Sequence, residues 1–149
     1  MTAFLVFLAD YLTKNLAVKF LADEPVKVIG NFLKFELVFN TGAAFSLATS
    51  KTIFLSVFAM IVAAGIFYFA SRIDSNKWAL ALGLVLGGIF GNLTDRMFRS
   101  PGGLQGPVVD WISVSLWPTF NIADSAVVVG VLTIVWLIWS KIPSRSVSK

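Results

Sequence analysis

Two carboxylates stand out for where the sequence puts them. Asp124, in Phe120-Asn121-Ile122-Ala123-Asp124, lies at the mouth of an apolar run from Ile122 to Trp139. Asp110, in Val108-Val109-Asp110, lies just outside the same run, and residues 111–123 are long enough to fold back and bring the two together. Two carboxylates within a few ångströms cannot both ionise easily, so one holds a proton while the other stays charged. Such a pair can act on an amide. The ionised partner takes a proton from water, which attacks the carbonyl, and the protonated partner supports the developing oxyanion and then protonates the amine. The titration belongs to the pair rather than to either residue. The local alternatives are an N-cap for Asp124 and a capped surface turn for Asp110.

Several familiar hydrolytic chemistries are closed to this chain, and in an enzyme its acid–base groups would come from Asp, Glu, Lys, Arg or Tyr. It has no His and no Cys among its 149 residues, which excludes disulfides, Zn sites built on His or Cys, and Ser-His-Asp or Cys-His catalysis. Hydrophobic residues make up 57% and charged residues 13%, with a mean hydropathy of +0.83. Soluble domains average roughly 45–50% apolar and 25% charged, so the composition describes one multi-pass membrane domain. The net charge of +4 suits anionic lipid headgroups. Nucleic-acid binding is not indicated, because the basic residues form no cluster or stripe.

Four segments are expected to cross the membrane, at about 3–22, 52–70, 77–97 and 123–140, with surface segments 23–51 and 98–121. A helix of about 20 residues crosses a roughly 30 Å hydrocarbon core. The first segment lacks a basic leader and a small-residue cleavage pattern, which favours a retained span over a removed signal peptide. It carries Asp10 and Lys14 at i,i+4, either an ion pair stapling helices or a substrate contact. Leu33, Phe35, Leu37 and Phe39 alternate with Lys34, Glu36 and Val38, the period of a half-buried strand. Such a strand must lie at or above the membrane surface. It runs into Asn40-Thr41-Gly42-Ala43-Ala44-Phe45-Ser46, a turn by default, in which Gly42 permits close backbone approach.

The third span carries Gly83, Gly87, Gly88 and Gly91, a helix face for close packing in lipid. Asn92, Asp95 and Arg96 share its C-terminal turns, as a bundle-holding network or as part of a substrate site. Ser100 to Pro107 is rich in breakers and reads as a loop. Val108 to Trp117 alternates loosely, with Ile112, Val114 and Leu116 on one face, and Trp111 and Trp117 suit headgroup depth. Four spans leave both termini on one side. The Arg72/Lys77 link and the tail with Lys141, Arg145 and Lys149 then face the cytoplasm, although Lys27, Lys34, Lys51 and Arg99 on the other side keep the charge count indecisive.

Five motifs occur in order: Asp10-x-x-x-Lys14; Asn40-Thr41-Gly42-Ala43-Ala44-Phe45; Gly87-Gly88-x-x-Gly91-Asn92-x-x-Asp95-Arg96; Val108-Val109-Asp110; and Phe120-Asn121-x-Ala123-Asp124. Together they resemble the lipoprotein signal peptidases, the type II signal peptidases of bacteria, over nearly the whole chain. The resemblance implies a mainly α membrane protein with four transmembrane helices and a small outward-facing β-cradle at the membrane surface. It implies an aspartic endopeptidase of the cytoplasmic membrane, its active site on the outer face, that cleaves diacylglyceryl-modified prolipoproteins immediately before the lipidated Cys.

By motif position Asp110 and Asp124 are then catalytic, Asn40, Gly42, Asn92, Arg96 and Asn121 line the substrate site, and Asp10 and Lys14 match a supporting pair, with Asp95 beside them. The same resemblance implies no metal or cofactor and inhibition by globomycin-like cyclic peptides. Membrane lipids and prolipoproteins are the partners, and a monomer is the default. The chain departs from the family at Phe39, where a basic residue is frequent, at Pro107, where His is frequent, and in its longer Ser100–Pro107 loop. Two other functions compete: a small proton-coupled transporter, since acids and glycines in spans also mark transport paths, and a non-catalytic assembly subunit.

Overall fold

The computed structural model describes residues 1–42 and 49–145. Ala43, Ala44, Phe45 and Ser46 of the turn motif, and Lys149 of the tail, lie outside the described residues. The elements run α1 (Thr2–Phe20), β1 (Val26–Ile29), β2 (Leu33–Asn40), α2 (Thr49–Ala70), α3 (Asn76–Phe98), β3 (Val108–Val114) and α4 (Ile122–Trp139). Helix bounds fall within a few residues of the expected spans.

Among the described residues, three helical segments are long and apolar enough to cross a membrane: Thr52–Ala70, Asn76–Phe98 and Ile122–Trp139. The first helix is not among them, because Asp10, Lys14 and Lys19 interrupt its apolar surface. Two of those charges do not face outward, and the third, Lys19, is exposed in the last turn. Asp10 and Lys14 are buried, while Phe4, Leu5, Leu12, Leu16 and Phe20 are exposed. This inside-out arrangement is what a helix bathed in hydrocarbon requires, since charges there are costly unless turned inward and paired.

The third helix is the centre of the bundle. Half of its apolar stretch is buried, against 11% of that in α2, and it packs on α1, α2 and α4. Its glycines were expected on one face, but they serve two. A Cβ at Gly87 would sit 2.6 Å from Val6 Cβ of α1, and one at Gly88 would sit 2.6 Å from Val127 Cγ2 of α4. One glycine stripe therefore lets two neighbours approach to backbone contact, because positions 87 and 88 point about 100° apart on a helix. The second helix touches α3 but neither α1 nor α4 among the described residues, which leaves a groove between α2 and α4.

The strands form an antiparallel sheet in the order β1-β2-β3. The first strand, a short partner of β2 across the Gly30 turn (φ +49°), had no periodic signal in the sequence. The alternation expected to bury Leu33, Phe35, Leu37 and Phe39 does not hold along β2. The register shifts between Phe35 and Val38, and Phe39 is 51% exposed. A bulge turns the rest of a strand over, and it aims Asn40, opposite Val108, toward the helix ends. The third strand stops at Val114. Leu116, expected to continue its face, instead has φ +71° and is fully exposed.

Candidate active site

The start of α4 fixes the first carboxylate. Asn121 is the N-cap, its Oδ1 accepting from the Asp124 N–H at 2.9 Å. Asp124 returns the bond, its Oδ2 accepting from the Asn121 N–H at 3.3 Å. This reciprocal capping box satisfies two otherwise orphaned donors. Asp124 is thus a capping residue, as the local alternative allowed, yet its other oxygen is free for a second task. Asp124 Oδ1 accepts from Asn92 Nδ2 at 2.7 Å.

The second carboxylate is held from the sheet. Asp110 is 1% exposed, opposite Val38 in β2. Its Oδ1 accepts from Asn121 Nδ2 at 2.7 Å and its Oδ2 from Asn40 Nδ2 at 2.9 Å. It is no turn cap. Asn121 therefore touches both acids, its side-chain amide donating to Asp110 and its backbone N–H to Asp124. Burial pushes the Asp110 carboxyl up from the ordinary 3.8 to about 6. The Asn40 hydrogen bond opposes this, the Asp124 charge adds to it, and Asn121 and the Lys14 charge oppose it. Two acids within electrostatic reach, one with a raised proton affinity, are equipped for general acid–base work.

The expected residues divide into two layers. Asn92, Arg96 and Asp124 line a cleft of about 320 Å³ together with Leu55, Ala59 and Gly88. The cleft lies in the groove between α2 and α4, with α3 as its floor. Arg96 presents a buried Nη1 that has no hydrogen-bond partner among the described residues. Its guanidinium stands within electrostatic reach of Asp110, Asp124 and Asp95. Both of its terminal nitrogens approach within 3.6 Å of where a Cβ at Gly42 would be. Gly42 itself has φ +78°, and its N–H donates to Asn40 Oδ1 at 2.8 Å.

Asp95, expected to share a face with Asn92 and Arg96, turns away from the cleft. It is buried, accepting from the Val109 N–H at 3.1 Å and pairing with Lys14 at 3.0 Å and Arg99 at 2.5 Å. The three side chains diverge because positions 92, 95 and 96 span more arc than one contact surface. Sequence reading gave no role to Arg99, Thr52 or Ser56. Thr52 Oγ1 donates to the Thr41 carbonyl and Ser56 Oγ to the Leu104 carbonyl at 2.9 Å. Those hydroxyls fasten the Gly42 turn and the 98–107 loop to α2. Lone hydroxyls in an apolar span were the available signal. Among the described residues no group of three or more His, Cys, Asp or Glu side chains gathers to hold a metal ion.

A sequence profile for signal peptidase (SPase) II matches residues 2–140. The chain belongs to the signal peptidase II family. A lipoprotein signal peptidase of Mycobacterium leprae (strain Br4923) is 49% identical over 136 residues, which are 91% of this chain and 68% of that protein. The one of Mycobacterium avium (strain 104) is 50% identical over 133 residues, 89% of this chain and 73% of that protein. A solved bacterial membrane enzyme, determined by the in meso method at 1.9 Å, superposes with a TM-score of 0.80 at 29% identity, covering 92% of this chain and 89% of the other. Signal peptidase II proteins are membrane aspartic endopeptidases that process prolipoproteins. The transporter alternative has no support among these relatives.

Proposed function

We propose that Asp110 and Asp124 are the acid–base pair with which this chain removes signal peptides from diacylglyceryl-modified prolipoproteins, cutting immediately before the lipidated Cys. The observation that carries this reading is the convergence of both carboxylates on Asn121, at the end of an apolar groove. The more buried acid, Asp110, holds the proton. Asp124, open to the cleft, draws a proton from water, which attacks the scissile carbonyl. Asp110 supports the oxyanion and then protonates the departing amine. The unpaired Arg96 nitrogen and the Asn40–Gly42 turn receive the substrate backbone, while Asn92 and Asn121 keep the acids oriented.

The same reading gives one integral domain over residues 1–149, with α1 as the fourth span despite its charges, all of which are inward-facing or near its end. Its site lies on the outer face of the bacterial cytoplasmic membrane, where acyl chains would hold the scissile bond at the depth of the helix ends. The groove between α2 and α4 takes the apolar signal helix and lipid. The working unit is a monomer, and globomycin-like cyclic peptides would block it by occupying the acids.

The test mixes the purified protein with a diacylglyceryl-modified prolipoprotein and with its unlipidated form. Cleavage of the first alone is expected, abolished in Asp110→Asn and in Asp124→Asn. Cleavage surviving in either variant would remove that residue from the catalytic role.

A further inference from the structure

One buried cation reaches both carboxylates through their neighbours. Lys14 of α1 is 1% exposed. Its ammonium contacts three acceptors: Asp10 Oδ2 at 2.7 Å, Asp95 Oδ2 at 3.0 Å and Asn92 Oδ1 at 2.9 Å. The Asn92 contact is a hydrogen bond, and the two carboxylate contacts are close ion pairs. Each acceptor is then committed onward. Asp10 Oδ1 accepts the N–H of Ala123, the residue before Asp124, at 2.9 Å. Asp95 Oδ2 accepts the N–H of Val109, the residue before Asp110, at 3.1 Å. Asn92 donates to Asp124 itself.

We propose that Lys14 is a positioning residue for the reaction: its ammonium ties α1, α3, β3 and α4 into one unit and sets the separation of Asp110 and Asp124. The proposal rests on the protease reading and deepens it. The backbone of each acid is pinned one residue upstream, by Asp10 Oδ1 and Asp95 Oδ2 of a single Asp–Lys–Asp cluster. Neither carboxylate can shift along its element without breaking a bond to that cluster. The cation also acts at a distance. Asp110 faces Lys14 from α1, Arg96 from α3, Asp124 and Asn121 from the α4 end, and Asn40 from β2. Of these, Lys14 is a positive charge that favours the ionised form of Asp110.

A purely structural staple and a positioning cation separate in kinetics. The variants are Lys14→Gln, which removes the charge and keeps a donor, and Lys14→Met, which removes both. Each is purified in detergent, checked for native-like thermal unfolding, and assayed on the lipidated prolipoprotein across pH. The expected result is a fall in kcat of about 10²-fold with KM changed less than about threefold, because the groove is intact. The pH limb set by Asp110 should move to higher pH in both variants, since a nearby positive charge has gone. Unchanged kcat, a loss confined to KM, or an unmoved limb would each overturn the proposal. Failure of both variants to yield folded protein would also overturn it, leaving Lys14 a staple of the fold alone. If the Asp110→Asn and Asp124→Asn enzymes are inactive while the Lys14 variants behave as wild type, this inference fails and the protease reading stands. If the Asp variants remain active, the protease reading itself fails.

Discussion

Asn92 Nδ2 donates to Asp124 Oδ1 at 2.7 Å, and the same amide's oxygen accepts from Lys14 and from Asn121. The amide cannot turn over, since its oxygen faces two donors and its nitrogen a carboxylate. The candidate site is thus built on directional amides, with Asn40, Asn92 and Asn121 each donating to an aspartate.

Asn92→Asp tests that directionality. It keeps the size and the acceptor facing Lys14, but sets a second carboxylate oxygen against Asp124. Close like charges disfavour the joint ionised state, and Asp124 must shift or take up a proton. We expect kcat for the lipidated substrate to fall by about 10²-fold or more, with folded yield retained. Near-native turnover would mean that the Asn92–Asp124 bond does no positioning.

Asn40→Ala probes the other acid from the sheet side. The Asn40 hydrogen bond favours ionised Asp110, and its loss should raise that pKa beyond about 6. The corresponding inflection in the kcat/KM–pH profile should move to higher pH. Because Asn40 Oδ1 also holds the Gly42 N–H, KM should rise several-fold as the turn loosens. A profile that superposes on the native one would show that the contact has no effect on the proton.

The raised Asp110 pKa also carries a stability cost with a definite sign. Below the ordinary 3.8 the carboxyl is protonated in the folded and unfolded chain alike, and the cost is absent. Between 3.8 and about 6 the unfolded chain gives up a proton that the fold retains, so stability falls as pH rises through this window, by at most ~3 kcal/mol. Asn at 110 is neutral throughout. Thermal unfolding in detergent should therefore show Asp110→Asn gaining on the native chain as pH rises through the window, with a constant difference above and below it. A pH-independent difference would contradict the buried, proton-holding assignment.

The glycines give a paired packing test away from the acids. A Cβ at Gly130 of α4 would lie 2.7 Å from Val85 Cγ2 and 2.9 Å from the Ala81 carbonyl, whereas one at Gly65 of α2 meets nothing within 4 Å. Gly130→Ala should destabilise by about 1–3 kcal/mol through forced separation of α3 and α4. Gly65→Ala should be neutral or stabilising, within ~1 kcal/mol. Equal effects at the two positions would mean that close helix approach does not depend on Gly130.

Much of this protein was already legible along the chain, for reasons tied to particular residues. Without His or Cys, attention falls on the acids beside the apolar runs, Asp110 and Asp124, and the fold brings both onto Asn121. Hydropathy located α2, α3 and α4, because a membrane demands long uninterrupted apolar helices. The Asp10–Lys14 spacing announced a paired charge, because i,i+4 residues meet on any helix.

What only the tertiary structure decided is where each group points and which group answers it. The bulge after Phe35, the exposed Leu116 and the short β1 follow from strand pairing, which local periodicity does not encode. Asp95 and Asn92 lie within one helical turn, yet one is buried behind the acids and the other lines the cleft. That choice depends on which neighbour sits across from each face. Asn121 read as one residue of a motif, and folding made it the cap of α4 and the shared donor to both aspartates. The chain dictates which side chains can carry charge and which segments must be apolar, since these are properties of residues. Convergence of residues from α1, α3, β2, β3 and α4 on one site is a property of packing, and no stretch of sequence contains it.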